Sequence, residues 1–202
     1  MDAADRDSAR YIVALGNPGR RYRGTRHNVG FRVADVLHER WQFPRARKAF
    51  GGRAADGRLT RGGQEARVVL LWPHTYMNCS GRAVAELVRF YKAPPRELLV
   101  VLDDMELPLG RLRLRAQGSA GGHKGLDDVL ETLGTRAVPR LRVGIGRPPA
   151  SWDPVDYVLS RFGRAEAETI EVAIQQAADA AEDAVLDGVA RAMERTNRAP
   201  EA

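Results

Sequence analysis

A histidine and a carboxylate are the residues of this sequence best suited to acid–base chemistry. His27 stands in Thr25-Arg-His-Asn28, where a loop gives way to a helix, and Asp103 follows an apolar run. An unperturbed imidazole titrates at about pH 6.5, so it can accept a proton from water at neutral pH when a carboxylate holds its tautomer. The pair is a candidate general base with its supporting carboxylate. As alternatives, His27 could be a surface or capping residue, and Asp103-Asp104 could form a turn or a metal site.

Two glycine-rich segments are similar to phosphate-binding loops but lack residues that those loops need. Gly16-Asn-Pro-Gly19 does not have the Gly-x-Gly-x-x-Gly spacing that brings backbone amides against a pyrophosphate. Gly121-Gly-His-Lys-Gly125 has no serine or threonine after its lysine to hold magnesium. We therefore exclude a dinucleotide site and a P-loop. The first segment is interpreted as a turn.

The composition favours a polyanionic partner and a reducing compartment. The 202 residues include 32 Lys and Arg against 26 Asp and Glu, which gives a net charge of +6 and a pI near 10.0. Nucleic acid is the leading candidate, although a basic, solvated surface would give the same charge. The single cysteine, Cys79, cannot form an internal disulfide, and four histidines with one cysteine supply no paired metal-ligand spacing. With no apolar leader or run of about 20 apolar residues, we expect a cytoplasmic protein without metal, cofactor or membrane contact.

The elements that must position these residues alternate between strands and helices. Residues 11–15 are an apolar run rich in strand formers, and apolar residues recur at helical spacing over 28–41. Glycines at positions 57, 62 and 63 interrupt residues 50–71 and predict a strand pair. A loop over 72–78 then leads to a helix that ends before Pro94-Pro95. Residues 98–102 are predicted to form a buried strand that delivers Asp103 to a loop.

The second half of the chain continues this alternation. Residues 111–115 alternate arginine and leucine, which predicts a half-exposed strand with arginines on one face. A glycine-rich segment, 118–125, precedes a helix to about residue 133, residues 141–146 form a further strand, and the alanine-rich stretch 165–189 is helical.

The predicted fold is one α/β domain over residues 1–202. It has a twisted, mixed and largely parallel central sheet, helices on both faces and C-terminal helices. Residues 1–9 and 198–202 are expected to be frayed. In such a sheet the loops at the carboxyl ends of the strands carry the functional residues.

A set of segments, in chain order, resembles those of bacterial peptidyl-tRNA hydrolases. The segments are Ala14-Leu-Gly-Asn-Pro-Gly19, Tyr22 with Thr25-Arg-His-Asn28, Thr75-Tyr-Met-Asn-Cys-Ser-Gly81, Asp103-Asp-Met-Glu-Leu-Pro108, Gly118-Ser-Ala-Gly-Gly-His123 and Leu141-Arg-Val-Gly-Ile-Gly146. Their order and spacing match across roughly residues 11–197. One such segment would be weak evidence, whereas the ordered set is specific.

The resemblance implies a metal-independent esterase that releases tRNA from a stranded peptide. It implies that His27 takes a proton from water and that Asp103 supports its basic form. Asn17 matches the position that discriminates blocked peptidyl-tRNA from free aminoacyl-tRNA. The partner is the acceptor end of peptidyl-tRNA, and the family implies a monomer.

The resemblance also implies contacts to the tRNA acceptor end. Tyr22, Tyr76 and Asn78 match positions that meet unpaired bases, sugar or peptide groups. Met77 and Gly121, which lie in or beside the matching segments, are included among the predicted substrate contacts. The Asn78 amide or loop backbone amides would suit the carbonyl oxygen on which negative charge develops. In the alternative interpretation, Tyr76 and Met77 simply pack under their loop.

Several basic side chains are candidate phosphate contacts. Arg113, Arg115 and Arg142 offer forked donors to phosphate oxygens, although each could merely solvate an edge strand. Lys124 is a departure from the resemblance, because asparagine commonly follows Gly-Gly-His in the family. A lysine there could strengthen phosphate binding, or it could disfavour an imidazolium at His27.

Two other functions stay open on the sequence. A non-catalytic RNA-binding relative, similar to plant organelle splicing factors of this fold, is favoured by Lys124. The intact set of Asn17, His27, Asn78 and Asp103 favours the enzyme. A hydrolase of a small ester or peptide would lack the steep salt dependence that phosphate contacts confer on RNA binding.

Overall fold

Parallel strands form the centre of the sheet. The computed structural model describes residues 10–198 of the chain. The parallel strands are β1 (Tyr11–Ala14), β4 (Gln64–Pro73), β5 (Leu98–Asp104) and β7 (Arg140–Gly144). Every residue of β5 is buried, as expected for a parallel strand that helices cover on both faces. Val13 of β1 pairs with Val100 of β5, so the carboxyl ends of both strands reach the same edge.

Antiparallel strands complete the seven-stranded sheet at both edges. On the β4 side lie β2 (Arg47–Ala49) and β3 (Gly52–Arg61), and on the β7 side lies β6 (Leu112–Arg115). The strand order is β2-β3-β4-β1-β5-β7-β6. In β6 the leucines are buried and the arginines exposed, as the alternation predicted. The Asn197 side chain covers the outer edge of β6, because its oxygen accepts from the Leu114 amide and its NH2 donates to the Leu114 carbonyl, both at 2.9 Å.

The predicted strand pair is a hairpin with different boundaries. Gly62 and Gly63 form its turn, with φ of 58° and 80°. Gly57 was predicted to interrupt the pair but lies inside β3, because its missing side chain leaves room for Phe43. A Cβ atom there would lie 2.6 Å from the phenylalanine ring. β4 continues to Pro73 because β3 pairs with it that far, so the loop predicted from residue 72 begins later.

Helices cover both faces of the sheet, which confirms the predicted α/β architecture. On one face lie α1 (Val29–Arg40), α5 (Arg164–Leu186) and α6 (Val189–Asn197), and on the other lie α2 (Ser80–Tyr91) and α3 (Lys124–Leu133). Leu99 and Val101 of β5 pack with the first group, whereas Val100 packs with the second. A short helix that the sequence did not predict, α4 (Pro154–Leu159), lies at the carboxyl edge of the parallel strands.

The alanine-rich segment is two helices rather than the one helical stretch predicted over residues 165–189. α5 ends at Leu186, and Gly188 has φ of 89°, which glycine adopts without strain. The predicted frayed ends lie outside the described residues, except for Arg198, whose carbonyl accepts a hydrogen bond from Arg111. No helix within residues 10–198 is both long and apolar enough to cross a membrane.

A close backbone contact fixes the start of α1. A Cβ atom on Gly30 would lie 2.5 Å from the Val101 carbonyl oxygen and 2.6 Å from that of Leu15. Only glycine fits there, so the first turn of α1 packs directly on β5 and on the end of β1. The 3₁₀ turn Arg26–Asn28, which leads into α1, is thereby held beside the end of β5.

Candidate active site

The carboxyl edge of the parallel strands opens into a cavity of about 460 Å³. The loop after β1, the 3₁₀ turn before α1, the end of β5 and the start of α3 converge on it, as expected for an open α/β sheet. The lining residues are Asn17, His27, Tyr76, Met77, Asn78, Asp103, Asp104, Met105, Glu106, Gly121, Gly122, His123, Lys124, Arg142, Pro154, Val155, Val158 and Leu159. Most of the residues predicted from the sequence therefore meet in one place.

His27, Asp103 and His123 form a hydrogen-bonded network in this cavity. The Nδ1 atom of His27 lies 2.8 Å from Oδ1 and 3.0 Å from Oδ2 of Asp103. The Nε2 atom of His123 lies 3.0 Å from the same Oδ1. An ionised carboxylate only accepts hydrogen bonds, so Nδ1 of His27 and Nε2 of His123 each carry a hydrogen. In neutral His27 the Nε2 atom, on the side of the ring away from Asp103, therefore keeps a free lone pair.

His123 is fixed in one tautomer by its place at the start of α3. It is the N-cap residue of the helix, and its Nδ1 atom accepts a 3.2 Å hydrogen bond from the Leu126 amide. Because Nδ1 accepts, the neutral ring carries its hydrogen on Nε2, which faces Asp103. No separate role was predicted for His123 from the sequence. Its position directly before a predicted helix was the available signal.

The same cluster has a spacing that would suit a metal ion. One potential ligand atom from each of His27, Asp103 and His123 lies within 4.8 Å of the others. If a metal bound Nε2 of a neutral His123, the ring hydrogen would move to Nδ1. Nδ1 could then no longer accept the hydrogen bond from the Leu126 N–H. The hydrogen bonds therefore suit a network that holds protons better than one that holds a metal.

Burial and hydrogen bonding act in opposite directions on Asp103. Its side chain is buried, and burial alone would raise its pKa. The two histidines that donate to it outweigh burial and hold the pKa well below the usual range of an aspartate. Asp103 is therefore ionised at neutral pH. It can orient the His27 ring and stabilise the imidazolium that forms when His27 takes a proton.

Asn17 is held so that its NH2 group is the part left for a ligand. Its Oδ1 atom accepts a 2.9 Å hydrogen bond from the Met77 amide. The Asn28 side chain binds both the backbone N–H and the carbonyl of Asn17, each at 2.9 Å. Since the side-chain oxygen is occupied, Asn17 can offer donors to the cavity. Asn28, which was predicted only to begin a helix, thus positions Asn17.

Helix α4 supplies an apolar wall of the cavity. Pro154, Val155, Val158 and Leu159 line the cavity from this helix. Asp153 caps its start, because the Asp153 carboxylate accepts a 2.7 Å hydrogen bond from the Val155 amide. The cavity therefore combines a polar network with a surface for apolar groups.

Arg26, which directly precedes His27, ties the 3₁₀ turn to the helices of the C-terminal segment. This residue is 6% exposed. Its guanidinium donates to both carboxylate oxygens of Glu166, at 2.9 and 2.7 Å. It also lies over the rings of Tyr157 and Phe162, 4.3 and 4.7 Å from their centres. The turn that carries His27 and the wall formed by α4 therefore share one anchor.

Three neighbouring residues predicted to contact substrate differ in exposure. Tyr76 is 58% exposed, so its ring does not pack under the loop. Met77 is buried, and a Cβ atom on Gly125 would lie 2.4 Å from its sulfur. Asn78 is exposed on the same turn. The packing interpretation thus fits Met77, whereas Tyr76 and Asn78 are free to meet a ligand.

Arg142 lines the cavity and already has an acidic neighbour. Its Nε atom lies 2.9 Å from Oδ2 of Asp104. Gly121 packs against the guanidinium, since a Cβ atom there would lie 2.7 Å from one of its nitrogens. Arg140, on the same strand, is buried and donates to the carbonyls of Val138 and residue 119. Burial, together with the nearby Arg142 cation, lowers the pKa of Arg140 to about 10.

Tyr22, Arg113 and Arg115 do not line this cavity. The ring of Tyr22 lies under the Arg21 guanidinium, 4.4 Å from it. Arg113 and Arg115 line a second cavity of about 380 Å³ together with Arg111. In the part of the chain that the structure describes, neither Arg113 nor Arg115 has an acidic partner. Arg113 pairs in register with Arg142, so their side chains lie on the same face of the sheet.

Comparison with known proteins identifies relatives over nearly the whole chain. The sequence model of the peptidyl-tRNA hydrolase family matches residues 11–202. The peptidyl-tRNA hydrolase of Rhodopirellula baltica is 47% identical over 188 residues, 93% of this chain and 97% of that protein. The peptidyl-tRNA hydrolase of Symbiobacterium thermophilum is 46% identical over 94% of this chain and 99% of its own length. The crystal structure of peptidyl-tRNA hydrolase from Acinetobacter baumannii superposes with a TM-score of 0.85 at 33% identity, covering 95% of both chains.

Proposed function

Because the chain belongs to the peptidyl-tRNA hydrolase family, we propose that it hydrolyses the ester between a peptide and tRNA, with His27 as the general base. The observation that carries this proposal is the contact of His27 Nδ1 with both carboxylate oxygens of Asp103, which leaves the Nε2 lone pair of the neutral ring for a water molecule. Asn17 brings donors into the same cavity. The base and a group that can recognise substrate are therefore within one site.

In the proposed reaction, water is the nucleophile. The Nε2 atom of His27 takes a proton from water as its oxygen attacks the ester carbonyl. The carbon–oxygen bond to the terminal ribose then breaks, and the imidazolium returns the proton to the departing ribose oxygen. Asp103 stays ionised throughout and stabilises the imidazolium. The exposed Asn78 amide or loop backbone amides are the proposed donors to the carbonyl oxygen.

Asn17 is proposed to distinguish blocked from free substrates. Its NH2 group can donate to the carbonyl oxygen of the first peptide group, because its own oxygen is occupied by the Met77 amide. A free aminoacyl ester presents an ammonium group instead, which would meet donors and no acceptor. The apolar wall of α4 would then accept peptide side chains.

The acceptor end of tRNA is the proposed partner, and the basic side chains would hold it. The exposed Tyr76 ring is suited to stacking on an unpaired base. Arg113 and Arg115, which lack acidic partners within residues 10–198, are suited to bind tRNA phosphates farther from the ester. Tyr22, which lies outside the cavity lining, and Arg142, which is part of it, are further proposed contacts. By family resemblance the protein is proposed to act as a cytoplasmic monomer without a metal.

The decisive experiment is release of an N-acetylated amino acid from tRNA at neutral pH with a chelator present. We expect turnover by the parent protein and a loss of at least about 100-fold in kcat for His27→Ala, in line with the loss of a general base. His38→Ala is the matched control, since His38 does not line the cavity and contacts the Pro44 carbonyl and the edge of the Trp72 ring near the end of α1. Salt-sensitive tRNA binding without turnover would instead support a non-catalytic RNA-binding protein. Loss of activity on chelation would refute metal independence.

A further inference from the structure

Lys124 is a cation on the cavity wall that forms no ion pair with an acidic side chain of residues 10–198. It is exposed and lines the cavity beside His123. The carboxylates of the lining are already paired, Asp103 with His27 and His123, Asp104 with Arg142 and Glu106 with Arg147. Across residues 10–198, the ammonium group of Lys124 has no hydrogen-bond or ion-pair partner. Its positive charge therefore faces the space that a ligand would occupy.

Within residues 10–198 the fold gives this charge no ion pair, although Asp127 lies in the same turn of the helix. Lys124 is the first residue of α3, where the positive end of the helix dipole disfavours a cation. Its neighbour Gly125 packs against Met77, so Lys124 emerges beside the turn that carries Tyr76 and Asn78. A ligand can therefore supply a negative group that pairs directly with the ammonium, on the side of the cavity where those exposed residues lie.

We propose that Lys124 binds the phosphate that joins the terminal nucleoside of the tRNA to the preceding nucleotide. This inference rests on the proposed function. In that substrate the ester is carried by the terminal ribose, and this phosphodiester is the negative charge nearest to it. An ammonium on a flexible stem can meet a phosphate oxygen from several directions, which suits an unpaired strand end. Lys124 thus favours substrates that carry this phosphate over simple nucleoside esters.

An effect of Lys124 on His27 would have different consequences. If the Lys124 cation disfavoured the His27 imidazolium, its removal would change the hydrolysis rate of every ester substrate. The pH dependence of kcat would then shift for every ester. A phosphate contact alters only substrates that carry the phosphate, and its effect shrinks as salt concentration rises. Substrate truncation therefore separates the two roles.

The test compares three N-acetylaminoacyl esters, namely those of tRNA, of a dinucleotide that carries the single phosphate, and of adenosine. We expect Lys124→Asn to lower kcat/KM about tenfold for the first two at low salt, a loss within the range of charge-assisted hydrogen bonds. The adenosine ester should change less than about twofold. The slope of log kcat/KM against log salt for the tRNA ester should become shallower by about 0.7, one contact on a single strand. Lys124→Arg should keep most of the activity.

Lys92→Asn is the matched control, because it removes the same charge at the far end of α2. Lys92 has φ of 51°, a conformation that asparagine tolerates well. We expect this variant to behave like the parent on all three esters, with melting temperatures measured for every variant.

The role of Lys124 would be overturned if Lys124→Asn lost as much kcat/KM on the adenosine ester as on the tRNA ester. It would also be overturned if the variant kept its kcat/KM on the dinucleotide ester. Failure of the parent to hydrolyse any of the three esters would refute the proposed function itself, and the two failures are therefore distinguishable.

Discussion

The oxygen and the nitrogen of the Asn17 amide have separate tasks in this site. The oxygen accepts from the Met77 amide, and the NH2 is left for the cavity. The substrate recognition proposed for Asn17 therefore depends on its NH2 donors, whereas its contact with the Met77 amide depends on its acceptor oxygen. A substitution that keeps one oxygen and removes the NH2 separates these two tasks.

Asn17→Asp is such a substitution. One carboxylate oxygen can still accept from the Met77 amide, whereas the other oxygen would face the substrate carbonyl and repel it. We expect kcat/KM for N-acetylaminoacyl-tRNA to fall by about 100-fold, the effect of removing one well-placed donor. The melting temperature should change little. Steady-state hydrolysis and thermal unfolding would be measured on the same preparations.

Asn17→Ala is the control, because it removes both the donor and the acceptor. It should lose activity and also stability, since the buried Met77 amide loses its partner. Activity of Asn17→Asp within about threefold of the parent would contradict a donor role for the NH2 group.

At the scale of elements, the sequence predicted most of the strands and helices because their apolar residues recur with clear periods. It did not predict β2, whose three residues are mostly charged and too few to show alternation. It did not predict α4, whose six residues are too few to show helical periodicity after Pro148-Pro149. It also gave no role to Arg26, because arginine is most often exposed and nothing local shows that Glu166 lies against it. His123 and Asn28 were missed because their roles depend on contacts between segments that are distant in sequence.

Arg26 couples two elements of the site, so its replacement should act on catalysis as well as on stability. In Arg26→Lys, one ammonium cannot reproduce the paired hydrogen bonds to Glu166 and the contacts with both rings. We expect the turn that carries His27 and the α4 wall to lose their common anchor. The value of kcat/KM for N-acetylaminoacyl-tRNA should fall by about tenfold or more, since small misplacements of a base are costly.

Arg40→Lys is the matched control for this substitution. Arg40 binds Asp179 at 2.6 Å and so also joins α1 to α5, but it does not line the cavity. The Arg40→Lys variant should keep kcat/KM near the parent value. If both lysine variants lose activity in proportion to their loss of melting temperature, the anchor acts through global stability alone.

At the scale of the whole molecule, several carboxylates make stability depend on pH. The pKa of Asp103 is depressed by its two histidine donors in spite of burial. Hydrogen bonds from Arg26 and Arg195 lower the pKa values of Glu166 and Asp187 respectively. A depressed folded pKa contributes stability that is present above the unfolded value, about 4, and is lost as the pH falls through the folded value.

We therefore expect the free energy of unfolding to fall steadily below about pH 4. Between about pH 7 and 5 we expect a slight fall, because burial lowers the pKa of His74 and the unfolded state binds more protons there. Asp103→Asn should be less stable than the parent at pH 7 by about 1–3 kcal/mol, because the amide lacks the negative charge and has one acceptor oxygen in place of two. The difference between the two proteins should narrow in acid. Urea unfolding at a series of pH values would measure it, and parallel curves from pH 7 to pH 3 would contradict this account of Asp103.

Both edges of the sheet are protected against strand addition from another chain. Asn197 occupies hydrogen-bonding positions on β6 that a neighbouring strand would use, and β2, at the other edge, is three residues long with exposed Arg47 and Lys48. Such edges resist intermolecular sheet formation. The β6 edge can therefore present Arg113 and Arg115, which lack acidic partners within residues 10–198, to the proposed tRNA without offering its backbone as a template for aggregation.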